Sequence, residues 1–271
     1  MHCLSCDFTK ATGVDKIFFI DPKATDGMDG IQTQVQQRRV VIPGDRIPLN
    51  LEAQEGGAPK VRAGPGLQQD GGELIAVKPG CIKHGNGNKF WVDGSQKRYV
   101  PAVGEPVLGT ITGKFAESYK VDIGSAHPAM LPVLAFEGAS RKNRPMLDVG
   151  ALVYCRVAVA NKDMEPELEC IAPSSGKSGG YGPLKNGFVV RCSSRMARSL
   201  LDPKNPILLR LAEAFSFEMA VGLNGRVWFN ADTVAQVIAA TKAIQACDGA
   251  AAADHLRHVN AELRILEGID M

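Results

Sequence analysis

The chain has 271 residues, 45% of them apolar and 22% charged, which excludes global disorder and leaves room for two or three small domains with real cores. A formal charge of +2 excludes a dedicated polyanion binder, whose affinity rests on neutralising many phosphates. Any RNA contact is therefore expected to be local or shared with partners.

Residues 1–37 show no sustained periodicity and are rich in Asp, Gly, Thr and Gln, as in a loosely ordered extension. Ile17-Phe18-Phe19-Ile20 is far too short to cross a bilayer, so no membrane role is expected. Cys3-x-x-Cys6 has metal-ligand spacing, but no second pair follows at finger distance, and no metal is assigned to it. Together with Cys81, Cys155, Cys170, Cys192 and Cys247 these thiols are scattered and odd in number, and no signal-peptide pattern precedes them. A reducing compartment follows. From Arg38 short β runs alternate with turns: Val40-Val41-Ile42, Pro43-Gly44-Asp45, Leu74 to Val77, Phe90-Trp91-Val92 and Tyr99-Val100-Pro101. Residues 38–101 read as a small N-terminal β domain.

Residues 102–172 carry a second β pattern. Val103-Gly104 opens it, Val107 to Thr112 and Tyr119-Lys120-Val121-Asp122-Ile123-Gly124 continue it, and Val149-Gly150 through Val157 returns. The order and spacing resemble an S1-type OB barrel, a fold that binds single strands with aromatic platforms and basic side chains. In that resemblance Tyr119 occupies the aromatic position of the binding face, and Lys120, its neighbour along the strand, points the other way. The loop from Phe136 to Pro145 carries Arg141, Lys142 and Arg144 against Glu137. It reads either as a phosphate-tracking patch or as a docking surface for another protein. With Lys114 and Tyr119, these three cations form the expected RNA-facing surface.

No catalytic constellation emerges. Asp163, Glu165, Glu167 and Glu169 alternate on one side of a strand, a pattern read as the polar edge of a sheet rather than a metal site, with Pro166 marking an edge strand. His255 and His258 read as a surface pair, and no nucleophile sits in a recognisable elbow. The Gly-Lys-Ser at 176–178 is not a P-loop, because Ile171 stands where the first glycine is required. No enzyme activity, metal or cofactor is expected.

After the Ser/Gly linker that starts at Pro173, residues 173–271 read as strand Phe188-Val189-Val190, a helix from Arg195 to Leu201 capped by Ser193 or Ser194, and a second helix from Ile207 to Ala214. Strands from Phe215 to Val221 and Arg226 to Phe229 follow, then a helix begun by the capping box Thr233-x-x-Gln236 with Val234, Val237, Ile238, Thr241 and Ile244 at helical spacing. This β-α-α-β-β-α order is that of a eukaryotic-type KH fold. Its clamp should sit between the two helices, yet Asp202-Pro203-Lys204-Asn205-Pro206 lacks the glycines that let backbone amides approach a phosphate. The G-x-x-G of the chain, Gly222-Leu223-Asn224-Gly225, instead joins two strands, and Asn224-Gly225 predicts a tight hairpin with positive φ angles. Gly222, Asn224 and Gly225 are therefore expected to hold a structural hairpin against the barrel or the KH core, with Trp228 buried beside it.

The fold class is thus multidomain and mainly β, with an α/β KH-like part at the C-terminal end. Several segments are more specific than the architecture. Trp91-Val92-Asp93, Gln96 through Pro101, Phe136-Glu137-Gly138-Ala139 with Arg144-Pro145, Ala160-Asn161-Lys162-Asp163-Met164-Glu165-Pro166-Glu167 and Gly222 through Trp228 resemble the S1/KH-type cap subunits of the eukaryotic RNA exosome. Within that family they resemble the component three branch more than its component two paralogue, which is the nearest rival. The resemblance covers about residues 38–248, and the stretch through Gly30 departs from the family pattern. It implies a non-catalytic subunit that joins two other cap proteins on a ring of RNase PH-like subunits and guides single-stranded RNA 3′ ends to associated nucleases. It further implies work on rRNA, other noncoding RNA and mRNA, in nucleus, nucleolus and cytoplasm. A free-standing RNA-binding regulator ought to be more basic and to keep its KH clamp. An S1/KH phosphorolytic enzyme needs catalytic domains for which no room remains.

Overall fold

The computed structural model describes strand β1 (Phe18–Ile20) and residues 39–47, 61–70, 73–85, 88–94, 98–161, 163–173 and 175–269. Cys3 and Cys6 lie outside the described residues. The chain forms two compact units, residues 27–96 and residues 1–26 with 97–271.

The smaller unit contains β2 (Val40–Val41), β3 (Arg46–Ile47), β4 (Arg62–Ala63), β5 (Leu67–Asp70), β6 (Glu73–Ala76), β7 (Gly80–Gly85) and β8 (Lys89–Asp93). They make two small sheets, ordered β2-β7-β8-β4 and β3-β6-β5, with Val41, Ala76 and Val92 packed together in the core. Tyr99-Val100-Pro101, expected as a last strand here, instead belongs to the larger unit and forms no strand.

In the larger unit, β9 (Pro106–Lys114), β10 (Ser118–Asp122), β11 (Ala129–Pro132), β12 (Leu152–Val159), β13 (Glu167–Glu169) and β14 (Gly182–Leu184) form one sheet ordered β13-β11-β10-β9-β12-β14. Because β13 pairs with β11 and also with β12, the sheet closes into a barrel. The acidic alternation is consequently not a sheet edge. Glu169 pairs with Arg156 across the β12–β13 ladder, and Leu168 between the glutamates is buried. Nor does the barrel sheet stop at residue 172, since Gly182–Leu184 adds a strand to β12, and Tyr181 stacks on Tyr154 with ring centroids 5.0 Å apart.

The KH layer follows as β15 (Phe188–Arg191), α1 (Ser194–Leu200), α2 (Pro206–Ala214), β16 (Phe217–Gly222), β17 (Arg226–Ala231) and α3 (Val234–Cys247), with a further helix α4 (His255–Ile269). Each start has a chemical cause. The Ser193 side chain accepts from the Met196 N–H, Asn205 accepts from the Ile207 N–H ahead of Pro206, and Thr233 with Gln236 makes a reciprocal capping box. The sheet order is β1-β16-β17-β15. Phe18–Ile20, inside the stretch expected to be loosely ordered, thus covers the edge of β16, whose backbone groups would otherwise lack partners.

Strand alternation gives the KH sheet two buried faces. Met219, Val221, Val227 and Phe229 join the helices in one core, whereas Ala220 and Trp228, directly opposite each other on β16 and β17, are buried in a second cluster made mostly of barrel residues. The buried stripe of α3 is Ala239, Ala240, Ala243, Ile244 and Cys247, while Val234 and Ile238, expected on the apolar face, are exposed. Small residues win that face because α4 lays Val259, Leu263 and Leu266 into the same core.

Candidate nucleic-acid interface

The expected RNA-facing residues do not all reach one surface. Along β10, Tyr119, Val121 and Ile123 face the barrel core, and Ser118, Lys120 and Asp122 alternate with them. Tyr119 is only 2% exposed. Its hydroxyl donates to the Pro145 carbonyl at 2.5 Å and accepts from the Leu147 N–H at 3.4 Å. Period-two geometry forces this, because Val121 and Ile123 cannot be buried unless Tyr119 is buried with them. The reading of Tyr119 as an exposed platform is therefore corrected: the tyrosine pins the 136–149 loop to the barrel from inside.

The loop cations are on the outside. Lys114, Arg141, Lys142 and Arg144 are all exposed. Arg144 also shapes the surface, with Nη1 donating to the Ala116 carbonyl at 2.9 Å and Nε donating to the Arg141 carbonyl at 3.2 Å. Those contacts bring the loop against the turn between β9 and β10, which is closed by the Phe115 N–H donating to the Ser118 carbonyl at 2.9 Å. On that turn stands Phe115, next to Lys114 and 55% exposed. An aromatic ring open to solvent among four cations is the combination single-strand binding uses, with stacking for bases and positive charge for phosphates. Sequence reasoning missed Phe115. The available signal was the phase of β10, which sends Tyr119 inward and leaves the turn as the place for an exposed ring.

The KH part presents no second platform of the usual kind. Between α1 and α2 the backbone amides are occupied internally: Lys204 N–H donates to Asp202 Oδ1 at 3.0 Å, Asn205 N–H to the Asp202 carbonyl at 3.0 Å, and Ile207 N–H to Asn205 Oδ1 at 2.9 Å. Asn205 is buried and donates its own amide to the carbonyl and hydroxyl of Ser199 at 2.8 and 2.9 Å.

The Gly222–Gly225 hairpin faces the barrel. Its loop has three residues, not two, since Gly222 pairs with Arg226 and the Gly225 N–H donates to the Gly222 carbonyl at 3.1 Å. Only Gly225 has positive φ, at +74°, and Asn224 does not, so the turn differs from the expected one. This is the three-residue solution in which a turn is followed by a left-handed residue. Freed from backbone duty, the Asn224 amide reaches across: Oδ1 accepts from the Leu108 N–H at 3.2 Å, and Nδ2 donates to the carbonyls of Leu108 and Ile123 at 2.8 and 2.9 Å. A Cβ on Gly222 would stand 2.3 Å from Asn224 Oδ1 and 2.7 Å from the Leu108 nitrogen. Arg226 completes the contact, with Nη1 donating to the Asp122 carbonyl at 2.7 Å and Nη2 paired to its carboxylate at 2.6 Å. Burial pushes the Asp122 carboxyl up, but the Arg226 hydrogen bond, the Gly124 N–H and the charges of Arg226 and Arg191 outweigh it and hold the group below its ordinary value. Trp228, 3% exposed, donates Nε1–H to the Asn186 carbonyl at 2.9 Å.

Comparison with known proteins agrees with this three-part organisation. Residues 39–95 match the N-terminal region of the mammalian exosome complex component RRP40, residues 99–182 match the RRP40 S1 domain, and residues 187–235 match a KH domain. Exosome complex component rrp40 of Schizosaccharomyces pombe is 46% identical over 212 residues, which is 76% of this chain and 87% of that protein. The chain belongs to the RRP40 family of exosome components. Its Drosophila melanogaster relative, exosome complex component RRP40, is 41% identical over 79% of this chain and 91% of its own length. Among solved structures, one described as an exosome complex RNA-binding protein superposes with a TM-score of 0.51 at 25% identity, covering 62% of this chain and 98% of its own. Within the RRP40 frame, the hairpin that touches the barrel lies inside the KH match, and Phe115 with its cations lies inside the S1 match.

Proposed function

We propose that the chain is a non-catalytic, RNA-binding cap subunit of the RNA exosome. It sits with the other cap proteins on a ring of RNase PH-like subunits and guides single-stranded RNA 3′ ends toward nucleases supplied by partners. The substrates are rRNA, other noncoding RNA and mRNA, and the site of action is the nucleus, the nucleolus and the cytoplasm. The observation that carries the reading is the exposed Phe115 set among Lys114, Arg141, Lys142 and Arg144 on the S1 barrel of an RRP40-family chain. A modest net charge suits a protein that contributes one stretch of a shared RNA path rather than the whole of it.

The test is reconstitution of the assembly with Arg141, Lys142 and Arg144 each replaced by Glu. RNA capture should weaken and its dependence on salt should flatten, and an unchanged affinity and slope would overturn the RNA-guiding role. Homogeneous protein alone should leave labelled RNA intact. Shortening that depends on magnesium or phosphate would overturn the non-catalytic role.

A further inference from the structure

The 136–145 loop is fastened at both ends and open between them. At its start the Glu137 carboxylate accepts from the Ser178 N–H at 2.7 Å and so engages the linker. At its end the Pro145 carbonyl accepts from the Tyr119 hydroxyl, and Arg144 donates to the Ala116 carbonyl. The tip is a small turn in which the Ser140 N–H donates to the Asn143 carbonyl at 2.9 Å and the Ser140 hydroxyl oxygen accepts from the Asn143 N–H at 3.0 Å. Ser140 is exposed, and so are Arg141, Lys142 and Arg144 just after it. Two other hydroxyls near the Phe115 turn are held in strands: Ser118 is half-buried in β10, and Thr112 in β9 donates to the Lys120 carbonyl at 3.2 Å. A modifying enzyme needs an exposed, irregular segment, and of these three hydroxyls Ser140 alone offers one.

We propose that Ser140 is a phosphorylation site, and that a phosphoryl group there switches off the RNA contact of the loop. This rests on the RNA-guiding reading of the chain. The enzyme is a serine/threonine kinase that selects basic residues after the acceptor, because the cations follow Ser140 while Glu137, Gly138 and Ala139 precede it. ATP is the donor. The bond from Ser140 Oγ to the γ-phosphorus forms as the bond from that phosphorus to the ADP oxygen breaks, and the hydroxyl proton passes to a base of the kinase. A phosphoserine carries about −1.5 to −2 charges and three strong acceptor oxygens, enough to neutralise about two of the three cations. Guanidinium groups bind phosphate by paired, charge-assisted hydrogen bonds, so Arg141 and Arg144 meet in the modified side chain the same ligand that RNA presents. Being attached to the loop, that ligand competes at a high effective concentration.

The test installs phosphoserine at position 140 during translation, which requires no knowledge of the kinase. Modified and unmodified chains are then assembled with purified ring subunits and the other cap proteins, and binding of a labelled single-stranded oligoadenylate is measured. Affinity should fall about tenfold, and the slope of log affinity against log salt should flatten by about 1 to 1.5, as for two lost phosphate contacts. The thermal midpoint should stay within a degree or two. With Arg141→Gln and Arg144→Gln in place, the phosphoserine should weaken binding by at most about threefold. Peptide mapping of the complex from the cells that make it, with phosphatases inhibited, should find phosphate on Ser140. Equal affinity and slope for the modified and unmodified chains overturn the proposal, as does an undiminished loss in the Arg→Gln background or the absence of phosphate at Ser140 in cells. A silent phosphoserine beside a strong effect of Arg141→Glu, Lys142→Glu and Arg144→Glu sinks this proposal alone. Natural RNA binding by that triple variant sinks the RNA-guiding reading as well.

Discussion

Asn224 of the KH hairpin satisfies both backbone groups of Leu108 in the S1 barrel, accepting from its N–H at 3.2 Å and donating to its carbonyl at 2.8 Å, and also donates to the Ile123 carbonyl at 2.9 Å. One side chain thus replaces a missing strand neighbour for the barrel. Asn224→Ala removes all three bonds and leaves the Leu108 groups without partners, so it should cost on the order of 1 to 3 kcal/mol. Urea denaturation of the purified chain measures this. A stability change under a few tenths of a kcal/mol would show that water replaces the amide without penalty.

Trp228→Ala opens a cavity where the KH sheet packs with the barrel residues and should lower stability by about 3 to 5 kcal/mol. Trp228→Phe keeps most of the packing and loses the bond to Asn186, so about 1 kcal/mol is expected. The ratio of the two costs tells whether packing or the indole N–H matters more. Equal costs would contradict the core placement.

Asp122 and Arg226 make stability depend on acid in a definite direction. The carboxyl is held below its ordinary value of 3.8 in the folded chain, so its contribution is fully present well above 3.8 and is lost as the pH falls through the lowered folded value. Asp122→Asn should be less stable than the natural chain near neutrality and should lose less on acidification. Urea midpoints between about pH 6 and pH 3 test this. Parallel curves for the two proteins would count against the pair.

Phe115 and Tyr119 should separate cleanly. Phe115→Ala should weaken single-strand binding by about 1 to 3 kcal/mol if one base stacks there, with the melting temperature unchanged. Tyr119→Phe should leave RNA affinity alone and cost stability by about 1 kcal/mol through the lost bond to Pro145. The reverse outcome would restore Tyr119 as the platform.

Local chemistry made much of the KH part legible. Ser193, Thr233 and Gln236 cap where their side chains predict, and the β-α-α-β-β-α order follows from the caps and the apolar runs between them. What could not be read there depended on partners distant in sequence. The inward phase of Tyr119 is set by Val121 and Ile123 together with a loop about 26 residues on, as the Tyr119–Pro145 bond shows. The three-residue turn of Asn224 follows from its engagement with Leu108, which lies 116 residues earlier. The alanine face of α3 makes sense only with α4 laid on it, and the acidic run of β13 stops looking like an edge once β11 and β12 both claim it. The candidate site shows the same division, since the cations of the 141–144 loop stand out in the sequence and the ring that completes them does not.

The placement of Ala220 and Trp228 settles how separable the S1 and KH modules are. Both side chains originate in KH strands, yet they are buried in the same hydrophobic cluster as the residues of the barrel. Cutting the polypeptide between Leu184 and Phe188 would bare to water the barrel residues that pack with Trp228 and, on the KH fragment, the indole itself. Each half should then be sticky and poorly folded alone. Heat or denaturant should melt residues 98–269 in a single cooperative transition, and a mutation in either module should unsettle the other.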